Sequence, residues 1–220
     1  VMSKSKKNVV DPGRIIDAYG ADTARLFMLS DSPPERDLEW TESGIDGAWR
    51  YINRLWRLVD EPKASIANIG EQPDGPLSEG ANKIRKQIHK TIAEVTDNLQ
   101  RFAFNSAVAS IRKLTNFLEE QEGYAVLVDD IHAPAKSDSL MLNKASQDHR
   151  IVYREGLEAI TRLLSPMLPH IASEMWEKLG HQTMLVDEAW PVADPALLVD
   201  NVVTIAIQVN GKLRATIECP

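Results

Sequence analysis

Residues 78–102 read SEGANKIRKQIHKTIAEVTDNLQRF, and their spacing decides the fold class. Ile84, Ile88, Ile92, Val95, Leu99 and Phe102 recur at intervals of four, four, three, four and three. That is the stripe of an α-helix buried along one side. Ser78, with an acceptor side chain just ahead of Glu79, is its N-cap candidate. The same period continues on both sides. Upstream, Thr41 can cap a helix whose stripe is Ile45, Trp49, Ile52, Trp56 and Val59. Downstream come Val108, Ile111, Leu114 and Leu118, then a helix opened by Ser146 with Tyr153, Leu157, Ile160 and Leu164 inward. Pro166 and Pro169 interrupt it, and a last helix carries Ile171, Met175, Trp176 and Leu179 up to Gly180. The expected fold is mainly α, an antiparallel helical bundle. Trp49, Trp56 and Trp176 lie on these stripes and are expected in the core.

Two connections separate the helices. Residues 61–80 carry Pro62, Pro73, Pro76 and three glycines, and 122–145 have no sustained period and contain Gly123 and Pro134. Both read as loops, the second with a short helical turn at most. Near the C-terminal end the period changes from helical to alternating, with Val203, Ile205, Ile207 and Val209, then Leu213, Ala215 and Ile217. Asn210-Gly211 between them is a strong hairpin signal, because both turn positions need positive φ. A two-stranded hairpin is marginal alone, so it is expected to begin a truncated α+β domain. Three regions result: 1–40, a loop with connecting helices; 41–185, the bundle; and 186–220, a linker and the start of that further domain.

Composition narrows the function classes. The 220 residues are 43% hydrophobic and 26% charged, which suits a globular protein with a core. No apolar run nears the ~20 residues that span a bilayer, and no signal peptide is visible, so a cytoplasmic protein without a membrane partner is expected. One cysteine, Cys219, excludes a disulfide framework, and the five histidines lack metal-ligand spacing. The formal net charge of −7 argues against indiscriminate nucleic-acid binding, although a local basic face suffices for a shaped RNA contact.

The chemistry-bearing segment is Met2-Ser3-Lys4-Ser5-Lys6-Lys7-Asn8, followed by Val9-Val10-Asp11-Pro12 and Tyr19-Gly20-Ala21-Asp22. Asp11-Pro12 is a good helix start, Gly20 closes that helix, and Asp22 can cap the next, which Ser32-Pro33-Pro34 breaks. Lysines and hydroxyls placed just before a helix can hold phosphate oxygens, with the helix dipole adding to them. Composition alone favours a solvated tail.

The order of the residues carries more. The run from Met2 to Ser5 resembles the KMSKS signature of class I aminoacyl-tRNA synthetases, and the Asn-x-x-Asp-Pro and Tyr-Gly-Ala-Asp pieces resemble the residues C-terminal to that signature in the family. The resemblance implies ATP as cofactor, with Mg2+ in the full enzyme: Lys4 would be catalytic at the phosphates, with Ser3 and Ser5 also binding ATP. Charge stabilisation of that kind is worth ~3 kcal/mol for one good donor. The signature's first lysine falls at Val1, so position 1 receives no role. Leu26-Phe27-Met28-Leu29, Pro33 to Trp40, Gly47 to Val59, Pro169 to Ala172 with Met175-Trp176, and Gln208 to Arg214 look most like the bacterial leucyl-tRNA synthetases. That resemblance implies leucine and tRNA(Leu) as partners of the full enzyme, a monomer, and a piece that is inactive by itself. A synthetase for another branched or sulfur amino acid is the nearer rival. A non-catalytic helical module is the farther one.

Two basic rows are the candidates for tRNA contact: Arg50, Arg54 and Arg57 on one helix, and Lys83, Lys86 and Lys90 on the next. If those helices pack side by side, the rows merge into one phosphate-facing surface. A solvated face is the alternative. Asp37, Glu39 and Trp40 are read as shaping the approach to the long helix, and His170 as a packing or capping residue.

Overall fold

The computed structural model describes residues 9–61, 66–130, 138–199, 203–209 and 212–219, and it is mainly helical. In order come α1 (Pro12–Tyr19), α2 (Ala21–Ser30), α3 (Glu42–Asp60), α4 (Glu79–Gln100), α5 (Phe104–Asp130), α6 (Asp138–Leu164) and α7 (Pro169–Lys178). A 3-10 turn at Leu185–Asp187 and the short α8 (Pro195–Leu198) come next, then strands β1 (Val203–Val209) and β2 (Lys212–Cys219). The strands pair antiparallel, with an irregularity between Ile207 and Gln208. The Asn210-Gly211 turn lies outside the described residues.

The termini obey local chemistry. The Asp11 carboxylate accepts the Gly13 N–H at 3.0 Å with Pro12 in the first helical position. Gly20 ends α1 at φ +84°, where a side chain would be strained, and donates its N–H to the Ile16 carbonyl. Thr41 Oγ1 accepts the Gly44 N–H at 3.2 Å to start α3. Ser78 stands at the N-cap of α4 but makes no cap bond with its side chain. Its own N–H is taken by Asp148 of α6 at 2.7 Å, and that carboxylate is almost fully buried.

The core lies where α4, α5 and α6 pack on one another, with α2, α3 and α7 against one flank. Ile84, Ile88, Ile92 and Val95 of α4 meet Val108, Ile111, Leu114 and Leu118 of α5 and Tyr153, Leu157, Ile160 and Leu164 of α6, all of them buried. Each such side chain contributes about 1.5–3 kcal/mol when removed from water. The three helices close on Gly156: a Cβ there would sit 2.7 Å from a Leu118 methyl and 3.2 Å from an Ile88 methyl. Trp176 is buried, with its ring stacked on His181, while Trp56 packs partly buried on the core. Trp40 meets Phe27 edge-on at 5.0 Å, which fixes the approach to α3.

Four expectations need correction. The inward face of α3 is Ile45, Ala48, Tyr51, Leu55, Leu58 and Val59, one row over from the tryptophan stripe, and Trp49 is 45% exposed. Phe102 belongs to no stripe: it ends α4 at φ +58° with its ring exposed. Asp22 does not cap α2, whose N-cap is Gly20. Finally, 122–145 is largely helical, since α5 runs to Asp130 and α6 starts at Asp138, well before Ser146. Residues 131–137 lie outside the described part. A helix whose sequence carries no apolar period cannot be read from spacing.

Candidate nucleic-acid interface

Ser3, Lys4 and Ser5 lie outside the described residues, so the geometry around the candidate nucleotide loop begins with α1 and α2, directly C-terminal to it. These two helices are anchored to the bundle by polar bonds that span much of the chain. Asp22, buried on α2, accepts the Ile171 N–H at 2.7 Å and pairs with His170 Nδ1 at 2.9 Å. Leu168 at the α7 N-cap offers no side-chain acceptor, so Asp22 supplies the cap from another helix. One turn on, Arg25 donates through Nε to the Met167 carbonyl at 2.7 Å and through a terminal nitrogen to that of Pro166 at 3.1 Å. Carboxylate and guanidinium thus grip the donors and the acceptors of the α6–α7 corner. Tyr19 adds a bond from its hydroxyl to Asp46 of α3 at 3.1 Å, and the same contact raises the Tyr19 phenol above its usual pKa.

The basic rows separate. Helix α3 packs chiefly against α2 and α7, and α4 against α5 and α6, so the rows do not merge on adjacent helices. On α3, Arg50 and Arg57 are exposed, whereas Arg54 is half-buried and holds Glu119 of α5 with two nitrogens, Nε to Oε1 at 2.6 Å. That bond raises the Arg54 pKa against the opposing effect of burial. Beside it Tyr51 is buried, its hydroxyl 3.0 Å from Thr115 Oγ1 and its ring under the Arg112 guanidinium. Burial pushes the Tyr51 phenol up to about 12. On α4, Lys83 is exposed and Lys86 and Lys90 are half-buried. Arg85 and His89 of the same helix turn inward, both to Glu155 of α6.

A cleft of ~290 Å³ opens between the 69–77 segment, α4 and α6. Its charged lining is engaged internally: Arg85 with Glu155, and Arg154 and His181 with Glu158. Arg154 also donates to the Leu179 carbonyl, tying α6 to the end of α7. These groups brace the fold. Among the described residues no group of His, Cys, Asp and Glu is arranged to hold a metal, and no helix is long and apolar enough to cross a membrane.

Residues 81–220 match the family model described as the anticodon-binding domain of tRNA ligase, and residues 1–41 match the tRNA synthetases of class I (I, L, M and V). The chain belongs to the anticodon-binding domain family of tRNA ligases. The leucine–tRNA ligase of Paramagnetospirillum magneticum is 57% identical over 219 residues, which is 100% of this chain and 23% of that protein. That of Rhodospirillum centenum is 50% identical over 98% of this chain and 24% of its own length. The chain therefore spans about a quarter of the curated relatives it matches. Among solved structures, a ternary complex of an Agrobacterium radiobacter K84 leucyl-tRNA synthetase with tRNA and LeuAMS superposes with TM-score 0.76, at 29% identity, over 100% of this chain and 25% of that one. A methionyl-tRNA synthetase of Mycobacterium tuberculosis shares the fold, with TM-score 0.67 over 82% of this chain and 36% of that one, at 19% identity.

Sequence reasoning missed the Asp22 and Arg25 latch. The only available signal was that the Tyr-Gly-Ala-Asp piece and Pro169-His170 both sit at helix starts, one with a carboxylate and the other without an acceptor.

Proposed function

We propose that this chain is the part of a leucine–tRNA ligase that carries the ATP-phosphate loop and the helical domain that holds tRNA. The parent enzyme activates leucine with ATP and Mg2+ and transfers it to tRNA(Leu). One observation carries the reading: the likeness to leucine–tRNA ligases runs without a break from the candidate nucleotide loop through the whole bundle, at 57% identity. The solved relative complexed with tRNA and LeuAMS supports the same ligands here. The paired β1 and β2 are read as the start of a further α+β domain, and the enzyme as a cytoplasmic monomer.

In this reading Lys4 neutralises charge at the ATP phosphates, with Ser3 and Ser5 holding the same loop. Replacing Lys4 by Ala in the parent enzyme is expected to slow leucine-dependent ATP–pyrophosphate exchange by two orders of magnitude, the size of one absent charge-stabilising donor. Exchange at the native rate would remove the loop from the mechanism. The bundle contributes phosphate contacts through Arg50, Arg54, Arg57, Lys83, Lys86 and Lys90, with Arg54 also fixed by Glu119. Changing Lys83, Lys86 and Lys90 together to Glu should weaken tRNA(Leu) binding and flatten its salt dependence, by ~0.7–0.9 in log–log slope for each phosphate no longer held. Unchanged binding would restrict the surface to α3.

A further inference from the structure

The outer face of α3 presents an exposed indole beside two guanidiniums that have no partner among the described residues. Trp49 is 45% exposed and is not among the buried core residues. Asn53 and Arg57 lie at i+4 and i+8 from it, with Arg50 beside it, and all three are exposed. Arg50 and Arg57 make no ion pair, hydrogen bond or ring contact among the described residues. Of the carboxylates on this face, Glu42 in the first turn is exposed, Asp46 accepts from Tyr19, and Asp60 at the far end pairs with Lys178 at 2.6 Å. Asn53 donates to the Trp49 carbonyl, leaving its amide oxygen outward as an acceptor. Such a face offers a π surface, two cations without a partner among the described residues, and a polar side chain within one helical stretch.

We propose that Trp49 stacks on an unpaired nucleotide of the bound tRNA while Arg50 and Arg57, in the neighbouring row and C-terminal to it, hold the adjoining phosphates, a contact that rests on the tRNA-binding reading above. Every base has a π face, and an exposed aromatic beside cations is a platform for an unstacked nucleotide. Arg50 and Arg57 are seven residues apart, about 10 Å along the helix at 1.5 Å per residue, and their long side chains can converge on neighbouring phosphates. A protein partner fits less well, because docking an apolar surface here would strand two arginines without carboxylates.

The test uses the full-length parent enzyme and its tRNA(Leu), with Kd measured across a salt series. Trp49→Ala should weaken binding at least fivefold at every salt concentration and leave the log–log slope unchanged, whereas Trp49→Phe keeps most of the affinity. The double variant Arg50→Gln with Arg57→Gln should instead lower the slope, by ~0.7–0.9 per phosphate. Binding of tRNA should quench indole emission in the wild type, with the quenching reduced in Trp49→Phe. Native tRNA affinity in Trp49→Ala overturns the proposal, and so does a loss of stability in that variant with Kd unchanged, which would place a protein surface over the indole. If the Lys83, Lys86 and Lys90 triple change still weakens binding, the tRNA-binding reading survives that loss. If every variant binds as the wild type does, that reading falls too.

Discussion

Helices α3 and α4 look alike in sequence and behave differently in the fold. Each has a stripe of apolar residues and a row of cations, yet the α4 stripe is buried nearly as its spacing predicts, whereas α3 turns by one row and puts Trp49 outside. The reason lies in how many stripes each helix offers. On α4 the aliphatic residues form one row, with lysines opposite. On α3 two rows share Ile45 and Val59: one runs through Trp49, Ile52 and Trp56, the other through Ala48, Tyr51, Leu55 and Leu58. Apolar bulk favours the first. What decides is the neighbour, because Thr115 and Arg112 of α5 provide a hydroxyl partner and a cation for the buried Tyr51 ring. Spacing gives the width of a helix's apolar arc and not which edge of a wide arc faces inward.

The largest expected effect tests that choice. Leu55 has no exposed surface, and Leu55→Ala should cost about 2–5 kcal/mol by urea denaturation. Trp49→Ala should stay within ~0.5 kcal/mol of the parent chain, since an exposed ring leaves no cavity. The reverse ranking would restore the tryptophan row to the core.

Next in size is the latch that holds α2 to the bundle flanked by α3. Asp22→Ala removes the acceptor from the Ile171 N–H, and an orphaned buried donor costs about 1–3 kcal/mol. A lower melting temperature for Asp22→Ala, with partial recovery in Asp22→Asn, is the expected pattern. No change in either variant would mean that water satisfies the α7 terminus. Asp22 also marks the limit of what the chain discloses by itself. Asp11-Pro12, Gly20, Thr41 and the Pro166–Pro169 break were readable because each acts on backbone within four residues. Asp22 acts across 149 residues, so its partner could be known only once α2 and α7 lay together. The helical part of 122–145 was hidden for a related reason: its residues show no apolar period to betray it. The candidate nucleotide loop is visible only as a motif, because residues 1–8 fall outside the described residues.

Helix α4 has its own misreading, at its last turn. The Phe102 N–H reaches the Leu99 carbonyl and the Ala103 N–H that of Asn98, the paired bonds of a Schellman motif, so Phe102 stands where glycine is usual. Left-handed backbone costs a side-chain-bearing residue roughly 1–2 kcal/mol. With its ring 66% exposed and touching Phe104 only edge-on, little packing offsets that strain. Phe102→Gly should therefore stabilise the chain by about 1 kcal/mol, after the added freedom of glycine in the unfolded state is discounted. A destabilised variant would show that the Phe104 contact outweighs the strain.

The smallest effect concerns Arg85 and His89, the inward side chains that α4 has beyond its lysine row. Burial alone would raise the Glu155 carboxyl, but the hydrogen bond from His89 and the charge and hydrogen bond of Arg85 outweigh it, so its folded pKa lies below the ordinary 4.5. Because the folded value is the lower one, the unfolded chain takes up the proton first as the solution is acidified. The contribution of Glu155 is complete well above pH 4.5 and fades as the pH falls through that value toward the depressed one. The melting-temperature gap between the parent chain and Glu155→Gln should accordingly be widest near neutrality and narrow on acidification to about pH 3.5. The Arg54–Glu119 pair on α3 provides the contrast, because its carboxylate meets one guanidinium where Glu155 meets a guanidinium and an imidazole. A gap that holds constant on acidification would mean that Arg85 and His89 do not act on Glu155 as a pair, and the contrast between the helices would then rest on packing alone.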